Sequence, residues 1–295
     1  MATDIKNIVI IGGGTAGWLA ASLLAARHGT ADENGLSITL IESPDIPTIG
    51  VGEGTWPTIR DTLKRIGISE NAFLAACDAS FKQGSRFDGW VSGQSGDSYL
   101  HPFSAPINGT AADIHRAWTT QANGSFADTM SVQSEICAHD LSPRQSSMPP
   151  YQGVVNYAYH LDAAKLAKLL TTHATQNLGV RHILDHVTHV ENHENGDIKA
   201  VGTKNNGFLR GDFFIDCSGM QSLIIAKHFN IGFLDQNHIL FNDRALAVQV
   251  PVAEDTPIAS QTISTAHDTG WIWDIGLPTR RGIGAVYASK YSNAD

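Results

Sequence analysis

The chain has 295 residues, of which 42% are hydrophobic and 17% charged, and its 29 acidic and 20 basic residues give a formal net charge of −9. This composition is typical of a globular protein and disfavours long disordered, collagen-like or coiled-coil segments. The acidic balance argues against a nucleic-acid partner, because proteins that bind the phosphate backbone usually carry a basic face.

The cysteines and the apolar runs bear on localisation. Three scattered cysteines are too few for a disulfide framework or a CxxC metal site, so we expect reduced thiols in a cytoplasmic protein. The longest apolar helical run, residues 16–26, is shorter than the about 20 residues that a membrane span needs. Four histidines between 182 and 193 do not share one strand face, so we expect no metal site there, and the short apolar runs lead us to expect no membrane association.

The N-terminal segment predicts a βαβ unit. Residues 5–11 form a short apolar run that ends in glycines, which is typical of a buried parallel strand. A helix follows the glycines, and a second strand over residues 36–41 ends at Glu42. Residues 46–57 are rich in Gly and Pro and predict a loop.

The remaining elements follow in chain order. Two helices are predicted near residues 59–66 and 69–78, and residues 84–153 show little periodicity, which indicates loops and short elements. A helix is predicted over 162–176, followed by strands over 181–191, 198–204 and 211–217. Beyond residue 231, alternating patterns predict antiparallel strands, including one at 245–250 and a hairpin formed by 271–275 and 283–289.

A GxGxxG pattern lies between the first strand and the first helix. Gly12 permits the tight turn, Gly14 lets the backbone approach a pyrophosphate, and Gly17 lets the helix and strand pack closely. The helix N-terminus offers free N–H groups to the phosphates. Glu42 would accept hydrogen bonds from ribose hydroxyls. The pattern alone does not distinguish NAD from FAD.

Three further segments favour FAD. The Gly-rich loop at 50–55 could lay its backbone against an isoalloxazine ring, where side chains would obstruct. The strand and turn at 213–219 resemble the late segment of FAD proteins that returns to the cofactor, and residues 162–190 resemble the segment that reaches the adenosine end. The predicted cofactor-binding residues are Gly12, Gly14, Thr15, Ala16, Gly17, Glu42, Ile49, Gly50, Val51, Gly52, Glu53, Val187, Asp216, Ser218 and Gly219.

We therefore expect an α/β fold of the FAD/NAD(P)-binding, Rossmann-like class with an added antiparallel sheet on the substrate side. Residues 1–100 and 151–230 are predicted to form the two parts of the FAD-binding domain. Residues 101–150 form a loop-rich insertion on the substrate side, and residues 231–295 form antiparallel strands of an incomplete substrate region.

Six segments together resemble the flavin-dependent halogenases of the tryptophan halogenase family. They occur in the family order at residues 12–18, 46–53, 81–82, 157–163, 216–220 and 270–273. The Trp-x-Trp-x-Ile element at 271–275 is characteristic, because in this family it separates halogenases from flavin monooxygenases. Gly276 stands where the family pattern has Pro.

The resemblance implies a specific chemistry. Reduced FAD, delivered by diffusion from a separate flavin reductase, reacts with oxygen and a halide to give hypohalous acid. By match, Lys82 directs the halogen to an electron-rich aromatic substrate, through a hydrogen bond or a haloamine. His101 and Phe103 match positions that stack against a substrate such as tryptophan or indole. Trp271 and Trp273 match residues that line the passage of the oxidant.

Two other functions stay open. A flavin monooxygenase that hydroxylates its substrate is disfavoured by Lys82 and by the tryptophan pair. A non-catalytic flavin-binding fragment fits the absence of the family's distal segment, which carries a catalytic glutamate and which we expect beyond Asp295. The sequence does not choose between chloride and bromide, name the ring carbon attacked, or fix the oligomeric state, a homodimer included.

Overall fold

The computed structural model describes residues 5–30, 35–46, 50–106, 109–120 and 124–292. Ile49, one of the predicted cofactor-binding residues, lies outside this set. The chain divides into two compact units. The first comprises Met1–Ile49, Thr62–Ile68 and Ala163–Asp235, and the second comprises Gly50–Asp61, Ser69–Asp162 and Gln236–Asp295. None of the helices in the described ranges is long and apolar enough to cross a membrane.

The strands, in chain order, are β1 Asn7–Ile11, β2 Ser37–Glu42, β3 Glu53–Gly54, β4 Ser80–Lys82, β5 Gly84–Asp88, β6 Ser98–Pro102, β7 Ala158–Leu161, β8 Arg181–Leu184, β9 Val187–Asn192, β10 Ile198–Thr203, β11 Phe208–Arg210, β12 Phe213–Asp216, β13 Arg244–Pro251, β14 Thr262–His267, β15 Gly270–Gly276 and β16 Arg280–Tyr287. The helices are α1 Thr15–His28, α2 Thr58–Arg65, α3 Glu70–Ala76, α4 Ala111–Thr120, α5 Phe126–Met130, α6 Gln133–Ala138 and α7 Ala163–Gln176. A 3₁₀ turn at Gly219–Gln221 and a π-helical turn at Leu223–His228 follow β12.

The first unit is built on a four-stranded parallel sheet in the order β12-β1-β2-β8. The central strand β1 pairs with β2 on one side and with β12 on the other. Four of its five residues are buried, which accounts for the continuous apolar run in the sequence. The predicted βαβ unit and the Rossmann-like fold class are confirmed.

The single strand predicted over residues 181–191 is wrong. β8 belongs to the parallel sheet, whereas β9 belongs to a separate antiparallel sheet in the order β11-β10-β9. Asp185 lies between them, and its buried carboxylate accepts hydrogen bonds from the backbone N–H groups of His186, Asn205 and Asn206. A buried carboxylate needs such donors, so this residue fixes a turn that interrupts the run.

The second unit contains a six-stranded mixed sheet in the order β13-β16-β15-β14-β5-β6. The pairing of β5 with β14 is parallel and the other pairings are antiparallel. The predicted hairpin is confirmed, because β15 and β16 pair along their whole length, with Trp273 opposite Gly284. Two other strands of this six-stranded sheet, β5 and β6, come from residues 84–153, where the sequence shows little periodicity.

A smaller antiparallel sheet in the order β3-β7-β4 carries the residues of the lysine site. Gly54 and Ser80 lie on either side of His160 in this sheet. Because neighbouring strands are about 4.8 Å apart, the Gly-rich loop that leads into β3 and the strand of Lys82 lie about 10 Å apart. The sheet therefore fixes the distance between the loop predicted to lie against the flavin and the strand that carries Lys82.

Candidate active site

The glycines of the GxGxxG segment form a backbone cradle in the first unit. A β-carbon at Gly12 would lie 2.1 Å from the carbonyl oxygen of Cys217, and one at Gly17 would lie 2.0 Å from the oxygen of Gly12. Gly14 is the N-cap of α1, makes no side-chain cap, and faces open space. Thr15 begins the helix, so the N–H groups of its first turn have no acceptor within the helix. This arrangement fits the phosphates of a dinucleotide.

Glu42 lies beside this cradle and is paired with a histidine. Its carboxylate accepts a hydrogen bond of 3.0 Å from Nε2 of His182. A β-carbon at Gly13 would overlap the Glu42 side chain, so the absence of a side chain at Gly13 makes room for the carboxylate. The ring of Trp18 packs edge-on against His182, with centroids 4.9 Å apart. The sequence reasoning missed His182 because its partner lies 140 residues away.

Asp216 and Ser218 hold the turn that follows β12. The Ser218 hydroxyl donates to one carboxylate oxygen of Asp216, and the backbone N–H of Ile224 donates to the other at 2.8 Å. Burial alone would raise the pKa of Asp216, but these hydrogen bonds outweigh it and lower the pKa. Gly219 faces open space at a φ of +59°, whereas Val187 packs against the apolar core of the first unit.

Lys82 is almost fully buried in the second unit, with 7% of its surface exposed. Its Nζ lies 5.7 Å from the ring centroid of Trp56 and 5.4 Å from that of Phe103, and these two rings are 5.3 Å apart. Among the described residues, Lys82 forms no ion pair. Burial lowers the pKa of its amine to about 8. The site therefore holds an amine that changes charge near neutral pH.

A second group of residues encloses the amine from another side. A β-carbon at Gly54 would lie 2.9 Å from Nζ of Lys82, 3.3 Å from Oγ1 of Thr262 and 3.5 Å from Cδ2 of His160. Nε2 of His160 lies 2.8 Å from the Thr262 hydroxyl, while its buried Nδ1 has no hydrogen-bond partner in the described part of the chain. Burial, and then the charge of Lys82, lower the pKa of His160 to about 3, so its ring is neutral.

The sequence did not indicate that Gly54, His160, Thr262 and Trp56 lie beside Lys82; for Gly54 it predicted only a place in the Gly-rich loop at 50–55. Gly54 lies within that Gly-rich loop, and His160 lies within the segment 157–163 that resembles the family. Position in those two segments was the only signal available. Thr262 belongs to no recognisable motif. It lies beside Lys82 because it begins β14 and contacts His160 of the small sheet.

The predicted substrate residues have different environments. Phe103 lies against Lys82, as described above, whereas His101 is exposed on β6, the edge strand of the six-stranded sheet. Trp271 and Trp273 share one face of β15, with ring centroids 6.1 Å apart. Trp273 covers Gly284 of the neighbouring strand. The predicted strand geometry of the tryptophan pair is confirmed, and its role in guiding an oxidant stays a prediction.

The predicted flavin loop is held from the side of β16. Arg280 donates a hydrogen bond of 2.7 Å to the carbonyl oxygen of Val51, and Gln249 donates one of 3.2 Å to that of Gly50. Glu53 points away from the Lys82 face, because successive residues of a strand alternate. Desolvation raises the pKa of the Glu53 carboxyl.

The profile of a known family matches nearly the whole chain. The family is described as tryptophan halogenase, and the match covers residues 7–295. The chain belongs to the tryptophan halogenase family. Tryptophan 7-halogenase RebH of Lentzea aerocolonigenes is 36% identical to it over 314 residues, which cover 100% of this chain and 58% of RebH. The chain thus spans somewhat more than half the length of this relative.

Solved structures agree with the sequence comparison. A crystal structure of tryptophan halogenase from Shewanella frigidimarina has a TM-score of 0.94 and 52% identity, and the match covers 98% of this chain and 57% of that one. Tar14, described as a tryptophan C-6 flavin-dependent halogenase (chlorinase) from taromycin biosynthesis, has a TM-score of 0.88 and 37% identity, with coverage of 98% and 58%. The fold of this family member is therefore that of the flavin-dependent halogenases.

Proposed function

We propose that the chain supplies the FAD-binding and lysine-bearing parts of a flavin-dependent halogenase that acts on tryptophan or a related indole. The observation that carries the proposal is the buried amine of Lys82 beside two aromatic rings that contact each other, in a chain of this family. RebH and Tar14 are both named as tryptophan halogenases, which supports the substrate class.

The glycine cradle fits FAD. Gly12, Gly14 and Gly17 leave backbone and helix N–H groups open to a pyrophosphate, and the carboxylate of Glu42 is placed to accept hydrogen bonds from ribose hydroxyls. In our proposal, the loop from Gly50 to Glu53 faces the flavin ring. When bound in its reduced form, FAD supplies hypohalous acid from oxygen and chloride or bromide, after a separate flavin reductase has delivered FADH2 by diffusion.

In the proposed mechanism, Lys82 reacts with hypohalous acid or donates a hydrogen bond to it. With a pKa of about 8, roughly one amine in ten is uncharged at pH 7. The uncharged amine attacks the halogen of hypohalous acid, so an N–halogen bond forms and the halogen–oxygen bond breaks. The departing hydroxide takes a proton from the nitrogen and leaves as water. The charged amine instead donates a hydrogen bond to the oxidant. Either form holds the electrophilic halogen at one position beside the substrate.

The aromatic residues complete the proposed site. Trp56 and Phe103 form an apolar wall beside Nζ, and Phe103 and His101 would contact the aromatic ring of the substrate. Trp271 and Trp273 would line the passage of the oxidant. Their bulk would exclude the substrate from direct reaction at the flavin.

The deciding experiment uses the intact protein that contains this chain, with tryptophan, bromide, oxygen, FAD and a flavin reductase. The expected product is a bromotryptophan, detected by its mass and isotope pattern, and Lys82→Ala should abolish it while FAD still binds. A hydroxylated product in place of the halogenated one would identify a monooxygenase. Tight FAD binding without any oxidised product would identify a non-catalytic flavin-binding protein.

A further inference from the structure

The guanidinium of Arg280 joins two segments of the second unit that are distant in sequence. Nη1 donates to the carbonyl oxygen of Val51 at 2.7 Å, and Nη2 donates to a carboxylate oxygen of Asp162 at 2.8 Å. Only 11% of the Arg280 side chain and 16% of the Asp162 side chain are exposed. A planar guanidinium fixes both directions at once, so it also fixes the position of Val51 relative to the end of β7.

Backbone contact reinforces this hydrogen bond. A β-carbon at Gly282 would lie 2.0 Å from the carbonyl oxygen of Val51, so β16 approaches the loop more closely than a side chain would permit. The side chain of Gln249, on the neighbouring strand β13, donates to the carbonyl oxygen of Gly50. The loop at Gly50–Gly52 therefore rests on strands of the six-stranded sheet through its own carbonyl groups.

The same hairpin also contacts the strand of Lys82. The Ser80 hydroxyl donates a hydrogen bond of 2.6 Å to the carbonyl oxygen of Gly276, at the end of β15. The Thr279 hydroxyl, in the hairpin turn, donates to the carboxylate of Asp78. One end of this hairpin thus contacts both the loop at Gly50–Gly52 and the segment that leads to Lys82. Arg280 is the charged residue of the hairpin that contacts the loop.

We propose that Arg280 is a positioning residue that holds the loop at Gly50–Gly52 in the conformation that receives the flavin ring. This inference rests on the proposed function, because it takes the loop to face the flavin. Arg280 acts through the carbonyl oxygen of Val51 and needs no contact with the cofactor. Asp162 orients the guanidinium, so the pair acts as a unit.

Arg281 offers a matched control in the same hairpin. It is the next residue of β16, so its side chain points to the opposite face, where it pairs with Asp274 of β15. The test compares the double variant Arg280→Met/Asp162→Asn with Arg281→Met/Asp274→Asn in the intact protein. Each double variant removes both charges of one pair, so neither leaves a buried charge facing an apolar side chain.

Two measurements are made on each variant. The dissociation constant of oxidised FAD is measured by flavin fluorescence, and amide hydrogen exchange is measured for peptides that cover residues 50–54. The Arg280/Asp162 variant should raise the dissociation constant at least about tenfold and accelerate exchange in the loop by a similar factor. The Arg281/Asp274 variant should change both by less than about twofold, and Arg280→Lys, which reaches one partner only, should give intermediate values.

The outcomes separate this inference from the proposed function. Equal effects of the two double variants, or no effect of either, would overturn the positioning role. If the unaltered protein binds no FAD and loop exchange still rises only in the Arg280/Asp162 variant, the structural role of Arg280 is supported and the flavin assignment fails. Faster exchange with unchanged FAD affinity would contradict the inference that this loop conformation serves flavin binding.

Discussion

A β-carbon at Gly54 would lie only 2.9 Å from the Nζ atom of Lys82. A β-carbon essentially never lies this close to another heavy atom, so a side chain at this position would require one of the two residues to move. The absence of a side chain at Gly54 therefore creates the space in which the amine lies. Thr262 and His160 border the same space, so a methyl group there would meet three side chains.

The first prediction concerns Gly54→Ala. The methyl group should displace the flexible end of Lys82, because the terminal atoms of a lysine move more easily than the backbone of β3. A displacement of about 1 Å can reduce a reaction rate by about a hundredfold, so we expect halogenation to fall by between tenfold and a hundredfold. The measurement is the initial rate of halotryptophan formation at saturating FADH2.

FAD affinity is the control for this variant, since Gly54 lies on the lysine side of the loop. We expect the dissociation constant of FAD to stay within about twofold of its original value. An unchanged halogenation rate would contradict the view that Gly54 maintains the space beside the amine.

The second prediction concerns the charge of Lys82 and stability. Its pKa is about 8 in the folded chain and about 10.4 in an unfolded one, so folding is opposed wherever the buried amine must stay charged. The penalty is complete below pH 8 and disappears above about pH 10.4. Between these values the unfolded state binds more protons, so the free energy of unfolding should rise with pH by about 3 kcal/mol.

Lys82→Met keeps the length of the side chain and removes this penalty. The variant should be more stable than the original protein at pH 7 by about 2–4 kcal/mol, and the difference should shrink as pH rises through 8 to 10. Urea unfolding at a series of pH values measures it. Lys168→Met on the exposed face of α7 is the control, with an expected change within about 0.5 kcal/mol. Equal pH profiles for both variants would show that Lys82 is not desolvated.

The parallel sheet and its cradle were predictable because their determinants are local. The apolar run of β1, the glycines and the acid at the end of β2 form a continuous pattern in which each residue type has one physical reason. The hairpin of β15 and β16 was also predictable, because two strand-forming runs flank a short turn that contains Pro278. These elements were predictable because the residues that determine each of them are close together in the sequence.

The surroundings of Lys82 were not predictable in the same way. β3 has two residues, β4 has three and β7 has four, which is too short for a period of two to stand out. The contacts of His160 with Thr262 and of Glu42 with His182 join residues more than 100 positions apart. Only the resemblance of short segments to a family indicated Lys82, and nothing in the sequence indicated its pKa.

The third prediction concerns the protonation of His160. With a pKa of about 3 in the folded protein and about 6.5 in the unfolded chain, the ring should stay neutral down to pH 4. The free energy of unfolding should therefore fall as pH drops from about 6.5 towards 3, because the ring binds a proton in the unfolded chain and stays neutral in the folded chain. NMR of ¹⁵N-labelled histidine measures the ring state, and His160→Gln should weaken the acid dependence of unfolding. A ring that titrates near pH 6 would contradict the buried neutral state.

The fourth prediction concerns Glu70, whose side chain is fully buried at the start of α3. Its carboxylate accepts hydrogen bonds of 2.7 Å from the hydroxyl groups of both Tyr157 and Tyr159, and it pairs with Arg144. Desolvation and then the hydrogen bond to this carboxylate raise the pKa of Tyr157 to about 12. Glu70 thus anchors β7 and the residue before it, and so indirectly holds His160 beside Lys82.

Glu70→Ala should lower the free energy of unfolding by about 3–5 kcal/mol, because it leaves a buried guanidinium and two buried hydroxyl groups without the acceptor they share. Chemical denaturation measures the loss. Glu135→Ala is the matched control, since Glu135 is 76% exposed and faces His139 across one helical turn at 3.7 Å. That change should cost less than about 0.5 kcal/mol. Similar losses for the two variants would show that the Glu70 cluster does not stabilise the second unit.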